Sequence, residues 1–213
     1  MKKKNSMILI LTTIITLLPI IVGVMLYDKL PEQIPSHFNF QGEVDAYMAK
    51  NAMIFGMPLG LAALNVFVFF MLNADPKKEN ADGFAKLIGL CTAPFISCMI
   101  VPISMFHALG YETPIHIILP CFIGVLFILL GNYMPKVKQN YTVGIKIPWT
   151  LNDENNWNKT HRLSGILYVI GGIILIISSL AQFTNNYTMF FVLILCTVVP
   201  YIYSYSLYKK GNK

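Results

Sequence analysis

Ionised side chains are scarce in this sequence: only 12% of its 213 residues are Asp, Glu, Lys or Arg, against 55% hydrophobic, and the mean hydropathy is +0.60. A water-soluble domain of this size cannot enclose so much apolar surface in one core, so lipid has to solvate much of it. None of the ten acidic residues falls inside a long apolar run. That absence argues against ion-coupled transport, because proton and sodium pathways are normally carried by intramembrane acids and bases. Cysteine is thin as well. Cys91, Cys98, Cys121 and Cys196 all lie within apolar runs with no CxxC or Cys/His spacing, and they read as packing residues rather than as a disulfide framework or a zinc site. There is no HExxH, Walker A loop, GxSxG or pair of intramembrane aspartates, so neither an enzyme nor a cofactor is expected.

What the sequence does have is six apolar runs, at residues 7–27, 53–72, 87–107, 115–132, 163–181 and 189–208. A bilayer core of about 30 Å takes roughly 20 residues of helix, and a spanning segment must satisfy its own backbone hydrogen bonds. The expected fold is therefore all-α and transmembrane: a polytopic bundle of about six helices forming a single membrane domain over residues 1–213. The first run follows Lys2, Lys3 and Lys4 as a signal peptide would. It is too long for a secretory h-region and ends Val24-Met25-Leu26-Tyr27 without a small-x-small site, so it reads as a retained first helix.

Orientation follows from the lysines and arginine, because positively charged flanks stay cytoplasmic. With the N-terminus inside, Lys2, Lys3, Lys4, Lys77, Lys78, Lys86, Lys136, Lys138, Lys146, Lys159, Arg162, Lys209, Lys210 and Lys213 fall on the inner side, 14 of 16, and only Lys29 and Lys50 fall outside. Both termini are then cytoplasmic. The net charge of +6 is read as a topology signal, and direct nucleic-acid binding is not expected, since no recognised module accompanies the charge. Pro58, Pro94, Pro102, Pro120 and Pro200 together with Gly56 and Gly60 should kink or closely pack their helices, with a functional hinge as the alternative. Asn65 is the one strongly polar residue deep in a run. An interhelical hydrogen bond accounts for it, and a substrate contact is the competing reading.

Two segments outside the runs are long enough to carry function, residues 28–52 on the outside and 133–162 on the inside. In the first, Pro31 and Pro35 fix an extended entry, Ile34 to Phe40 reads as a short strand, and Gln41-Gly42 supplies a turn. Asp45 then fits as the N-cap of an extension of the second helix through Tyr47 and Asn51. A lid over the bundle and a packed connector both remain open for this segment. His37, Asp45, His107, Glu112 and His116 raise the question of a metal, but their separations enforce nothing, and solvated histidines are the expectation. In the second segment, Thr150 followed by Asp153 and Glu154 signals a helix start, with acids where the dipole favours them. Asp153, Trp157 and His161 then share a face leading into the fifth span. Trp149 and Trp157, the only tryptophans, serve either as headgroup anchors or as a docking surface.

The string GNYMPKVKQNYTVGIKIPWTLNDENNWNKTHRLSG, residues 131–165, resembles the C-terminal signature of the SdpI family, immunity proteins against the sporulation-delaying toxin of Gram-positive bacteria. LPEQIPSHFNFQGEVDAY, residues 30–47, resembles the extracytoplasmic segment before that family's second helix. Where the family commonly has Gly-Ile-Arg-Thr-Pro-Trp-Thr, this chain has Gly144-Ile145-Lys146-Ile147-Pro148-Trp149-Thr150, and lysine keeps the charge without the guanidinium fork.

The resemblance implies a non-catalytic, multi-pass cell-membrane protein that protects its cell from a secreted peptide toxin. It also implies signalling through capture of a cytoplasmic repressor. The peptide would then meet Pro31, Ile34, Pro35, His37, Phe38, Asn39, Gly42 and Asp45 outside. The repressor would meet Pro135, Asn140, Gly144, Lys146, Pro148, Trp149, Thr150, Glu154, Trp157, His161 and Arg162 inside. A small transporter or exporter of an amphipathic ligand is the alternative.

Overall fold

A computed structural model describes residues 2–39, 41–80 and 83–211, with side chains described from Ser6 and, after the second gap, from Lys86. Phe40, Lys213 and the side chains of Lys2, Lys3 and Lys4, which entered the reading above, lie outside that description. Six helices are long and apolar enough to cross a membrane: α1 (Lys2–Met25), α2 (Met57–Ala74), α3 (Gly83–Ala108), α4 (Ile115–Tyr133), α6 (Glu154–Leu180) and α7 (Asn186–Gly211). The strands β1 (Gln33–Phe38) and β2 (Val44–Ala49) and the single-turn helix α5 (Pro148–Asn152) occupy the two long segments between them. The chain forms two compact units. One holds α1, the strands, α2 and α3; the other holds the connection from Asp75 together with α4 to α7.

In the first unit hydrogen bonds tie the spans together where hydrophobicity alone gives no preference between lipid and helix. Asn65 Nδ2 donates to Thr12 Oγ1 at 2.8 Å, Thr12 Oγ1 donates back to Ile8 O at 2.9 Å, and Ser97 Oγ donates to Thr16 O at 2.7 Å. The interhelical role expected of Asn65 is thus what it performs. Beside the strands, Leu30, Ile34, Met53, Ile54, Val101 and Met105 form a buried cluster. Gly23 permits it, since a Cβ there would meet Ile54 Cγ2 at 2.5 Å. Gly56 and Gly60 do not pack closely: the nearest atom to a Cβ at Gly56 is 3.9 Å away, and nothing lies within 4 Å at Gly60. The chain instead enters α2 through a π-turn, Ala52–Gly56, just before Pro58.

The helical extension expected to run from Asp45 through Tyr47 and Asn51 begins only at Lys50. Residues 44–49 are a strand paired antiparallel with β1, with Ile34 opposite Met48 and Pro35 opposite Tyr47. Two causes favour the strand. Every second residue of β2 can face the buried cluster, as Met48 does, and the Asp45 carboxylate is engaged by His37 Nδ1 at 2.5 Å instead of capping a helix.

In the second unit α4 and α6 run antiparallel, and glycines at heptad spacing let their backbones touch. A Cβ at Gly124 would meet Gly172 O at 2.6 Å, and one at Gly131 would meet Gly165 O at 2.6 Å. Such close approach is how spans gain dispersion contact without a hydrophobic drive. On its other side α6 meets α7, where Gly171 faces Cys196 and Val192.

Candidate functional site: the segments 133–162 and 28–52

The 133–162 segment is organised around α6. Trp157, on its second turn, is fully buried and donates Nε1–H to Val137 O at 2.7 Å, which fixes the chain leaving α4. His161 lies one turn on and stacks on the Trp157 ring with centroids 4.0 Å apart. Its Nε2 accepts from Ile145 N–H at 3.0 Å, so the ring proton sits on Nδ1 and is given to Trp157 O at 2.8 Å. A neutral imidazole therefore acts as a two-ended strut. Gly144 is required beside it: its φ is +118°, and a Cβ there would collide with His161 Nε2 and the Trp157 ring.

The polar residues complete a framework. Asn140 Oδ1 accepts from Thr142 N and Val143 N at 2.9 and 2.7 Å, closing an Asx turn. Thr150 Oγ1 accepts from Ile147 N–H at 3.1 Å at the start of α5, and Gln139 Nε2 donates to Thr150 O and Leu151 O at its end. The uninterrupted helix anticipated after Thr150 is broken at Asp153. This residue is extended (φ −137°, ψ 113°) and caps α6 by accepting from Asn155 N at 2.8 Å. Asp153 thus does not join Trp157 and His161 on a buried face, being exposed itself.

A second strand of chain is bound into the framework. Asp75, immediately after α2, accepts from Tyr141 N at 2.9 Å and Thr142 Oγ1 at 2.6 Å through Oδ2, and from Lys77 N at 2.7 Å through Oδ1. Burial pushes this carboxyl up, but the hydrogen bonds from Thr142, Lys77 and Tyr141 outweigh it and hold the group below its ordinary 3.8. Lys77 Nζ donates to Gln139 Oε1, and Asn80 Nδ2 donates to Gln139 O at 2.8 Å. Asn156 ties α6 to α7, donating to Ser204 O at 2.9 Å and accepting from Ser204 Oγ at 2.6 Å.

The residues expected to meet a partner therefore separate into two sets. Asn140, Thr150, Trp157 and His161 are buried, Gly144 is held against the Trp157–His161 stack, and Pro135 packs on Gly165. Lys146, Pro148, Glu154 and Arg162 are exposed, and Trp149 is half-buried against Tyr201, Tyr205 and Tyr208 of α7. A cavity of about 520 Å³ opens beside Trp149, Asp153 and Tyr208. The sequence reading did not place Asp75, Lys77, Gln139, Asn156 or Ser204 in this framework. The one local sign was that Asp75 is an acid set directly against the end of a span.

The 28–52 segment is a two-stranded hairpin. Asn39 closes its turn, accepting from Gln41 N and Glu43 N at 3.0 and 2.9 Å and donating to Glu43 Oε2, while Gly42 takes φ +84°. Ile34 and Pro35 are buried, whereas Pro31, His37 and Asp45 are exposed and Phe38 rests edge-on against the His107 ring at 5.3 Å. Lys50 anchors the base. It donates to Glu32 Oε1 at 2.8 Å and Leu30 O at 3.3 Å and covers the Tyr27 ring, and the Glu32 hydrogen bond raises its pKa above the ordinary lysine value. His107 Nδ1 meets Thr113 Oγ1 at 2.8 Å. Among the described residues no group of three or more His, Cys, Asp and Glu side chains gathers as a metal site would.

These two segments are also where known proteins match. The SdpI/YfhL protein family matches residues 136–204, and a domain of unknown function (DUF1648) matches residues 14–62. The chain is 31% identical to the Immunity protein SdpI of Bacillus subtilis (strain 168) over 214 aligned residues, covering 99% of this chain and 98% of that protein. No solved structure matches it. With identity of that level from end to end, and the family's characteristic region laid over the Trp157–His161 framework and the helices that hold it, this multi-pass membrane chain belongs to the SdpI/YfhL protein family.

Proposed function

We propose that the chain is a non-catalytic immunity protein of the bacterial cell membrane, protecting its cell from a secreted antimicrobial peptide, and that it signals by capturing a cytoplasmic regulator. The observation that carries the reading is the end-to-end similarity to an immunity protein, which includes both long segments and the spans between them. In this reading the hairpin faces outward, where a secreted peptide arrives. The 133–162 framework faces the cytoplasm and presents Lys146, Pro148, Trp149, Glu154 and Arg162 to the regulator. The bonds of Asp75 and Asn80 to residues 139–142 support a common side for those segments. The excess of lysine and arginine there supports the cytoplasm as that side.

Expression in toxin-sensitive cells tests the function. Cells carrying the chain should survive the secreted peptide, and survival should persist when the membrane potential is clamped low. Protection that vanishes with the potential would favour the transporter alternative. Sidedness is tested by cysteines placed at Gln41 and at the exposed Glu79. In intact cells only Gln41→Cys should label with an impermeant maleimide, and labelling of both sinks the orientation.

A further inference from the structure

The hairpin has an unblocked edge. Lys50 N–H donates to Glu32 O at 2.9 Å, and in an antiparallel ladder this fixes the alternation: the 34↔48 pair exchanges bonds, while 33↔49 and 35↔47 do not. Pro35, which has no N–H to give, accordingly sits at a non-bonded position. The same alternation turns the N–H and C=O of Tyr47 and Ala49 away from β1. Among the described residues no turn or loop bond reaches the Tyr47 N–H and C=O or the Ala49 N–H, while the Ala49 C=O lies where the helix that starts at Lys50 takes its first acceptor. Tyr47 is 60% exposed, and Asp45, Ala46 and Ala49 are exposed as well.

Free edges are usually blunted by bulges and inward charges. Here the register irregularities are confined to residues 35–38 and the residues opposite them, towards the turn. The stretch 47–49 nearest the spans is regular and carries no charged side chain. The hairpin is also acidic in a basic chain: residues 28–52 hold Asp28, Glu32, Glu43 and Asp45 against Lys29 and Lys50. Its field attracts cations, whereas the chain as a whole carries +6.

We propose that the outer edge of β2 at Tyr47–Ala49 binds an extended, basic peptide segment by adding it as a third strand. The inference deepens the immunity reading and rests on it only for the peptide's source. Main-chain bonds to Tyr47 and Ala49 supply affinity that needs no particular sequence, and the acidic hairpin selects a basic peptide. The exposed Tyr47 ring supplies a side-chain contact beside the new strand.

The test uses the full chain in nanodiscs and a synthetic octapeptide of alternating lysine and valine. Saturable binding is expected, weakened about tenfold or more when alternate peptide nitrogens are methylated, when lysine is replaced by glutamate in the peptide, or in Ala49→Pro. That substitution removes an outward N–H and no ladder bond. Hydrogen exchange on the unmutated protein needs no variant: the Tyr47 and Ala49 amides should exchange freely alone and become protected with the peptide. No binding, or binding indifferent to N-methylation and to Ala49→Pro, overturns the proposal. Protection of both amides without peptide, in a nanodisc holding two chains, overturns it in favour of a second copy on the edge. Survival of toxin-treated cells is scored separately: cells protected equally by the unmutated chain and by Ala49→Pro refute the edge alone, while unprotected cells refute the immunity reading and leave the peptide result standing.

Discussion

The hairpin of residues 28–52 and the framework of residues 133–162 are similar in length and polarity, yet they are held in different ways. The hairpin closes on itself: its turn is bonded by Asn39, its His37–Asp45 pair is exposed, and only Ile34 and its neighbours reach the buried cluster. The framework draws bonds from four places in the chain, Asp75 after α2, Val137 after α4, Thr150 in α5 and Asn156 on α6, around a tryptophan and a histidine with no exposed surface. A self-closed hairpin can change its surface without disturbing the spans. A cross-linked framework cannot, and what it presents outward is rigidly placed as a result.

Substitutions can break or sharpen that contrast. The largest effect is expected of Trp157→Ala, which removes a buried indole, its bond to Val137 and the stack under His161; about 3–5 kcal/mol should be lost, read as a fall in melting temperature in detergent, while the exposed Asn158→Ala stays within about 0.5 kcal/mol. Next comes Asn156→Ala, which strands Ser204 Oγ–H and Thr160 Oγ–H and should cost about 1–3 kcal/mol. Asn156 and Trp157 adjoin in sequence and both are buried, so neither is a silent control for the other.

Asp75→Asn should act through pH. Because the folded carboxyl sits below its ordinary 3.8, its contribution is complete above about pH 5 and is lost as pH falls through the depressed value. The unmutated chain should lose stability below about pH 4, and the variant should show a flatter acid limb over the same range. Equal acid limbs would remove Asp75 from the framework. The smallest effect belongs to the hairpin: His37→Ala breaks only an exposed pair and should change stability by about 0–1 kcal/mol. A loss there as large as that of Asn156→Ala would erase the distinction between the two segments.

The sequence by itself determined the six spans, because crossing a membrane is decided within each run by some twenty apolar residues and self-satisfied backbone bonds. It also determined the strand near Ile34, the turn at Gly42 and the placing of Trp157 and His161 one turn apart on a shared helix face, since these depend on neighbours or on a helical repeat; that the two rings stack was settled by the packing. Only the tertiary structure decided that residues 44–49 pair as a strand, that Asp153 splits α5 from α6, and that Asp75 closes the framework. Tyr141 and Thr142 lie 66 and 67 residues from Asp75, and Ser204 lies 48 from Asn156. The glycines of α4 and α6 likewise face each other only once the helices run antiparallel, bringing Gly124 against Gly172 and Gly131 against Gly165. A hydrogen bond or a close backbone contact has no signature in the sequence between its partners. Its location is fixed by the packing that brings those partners together.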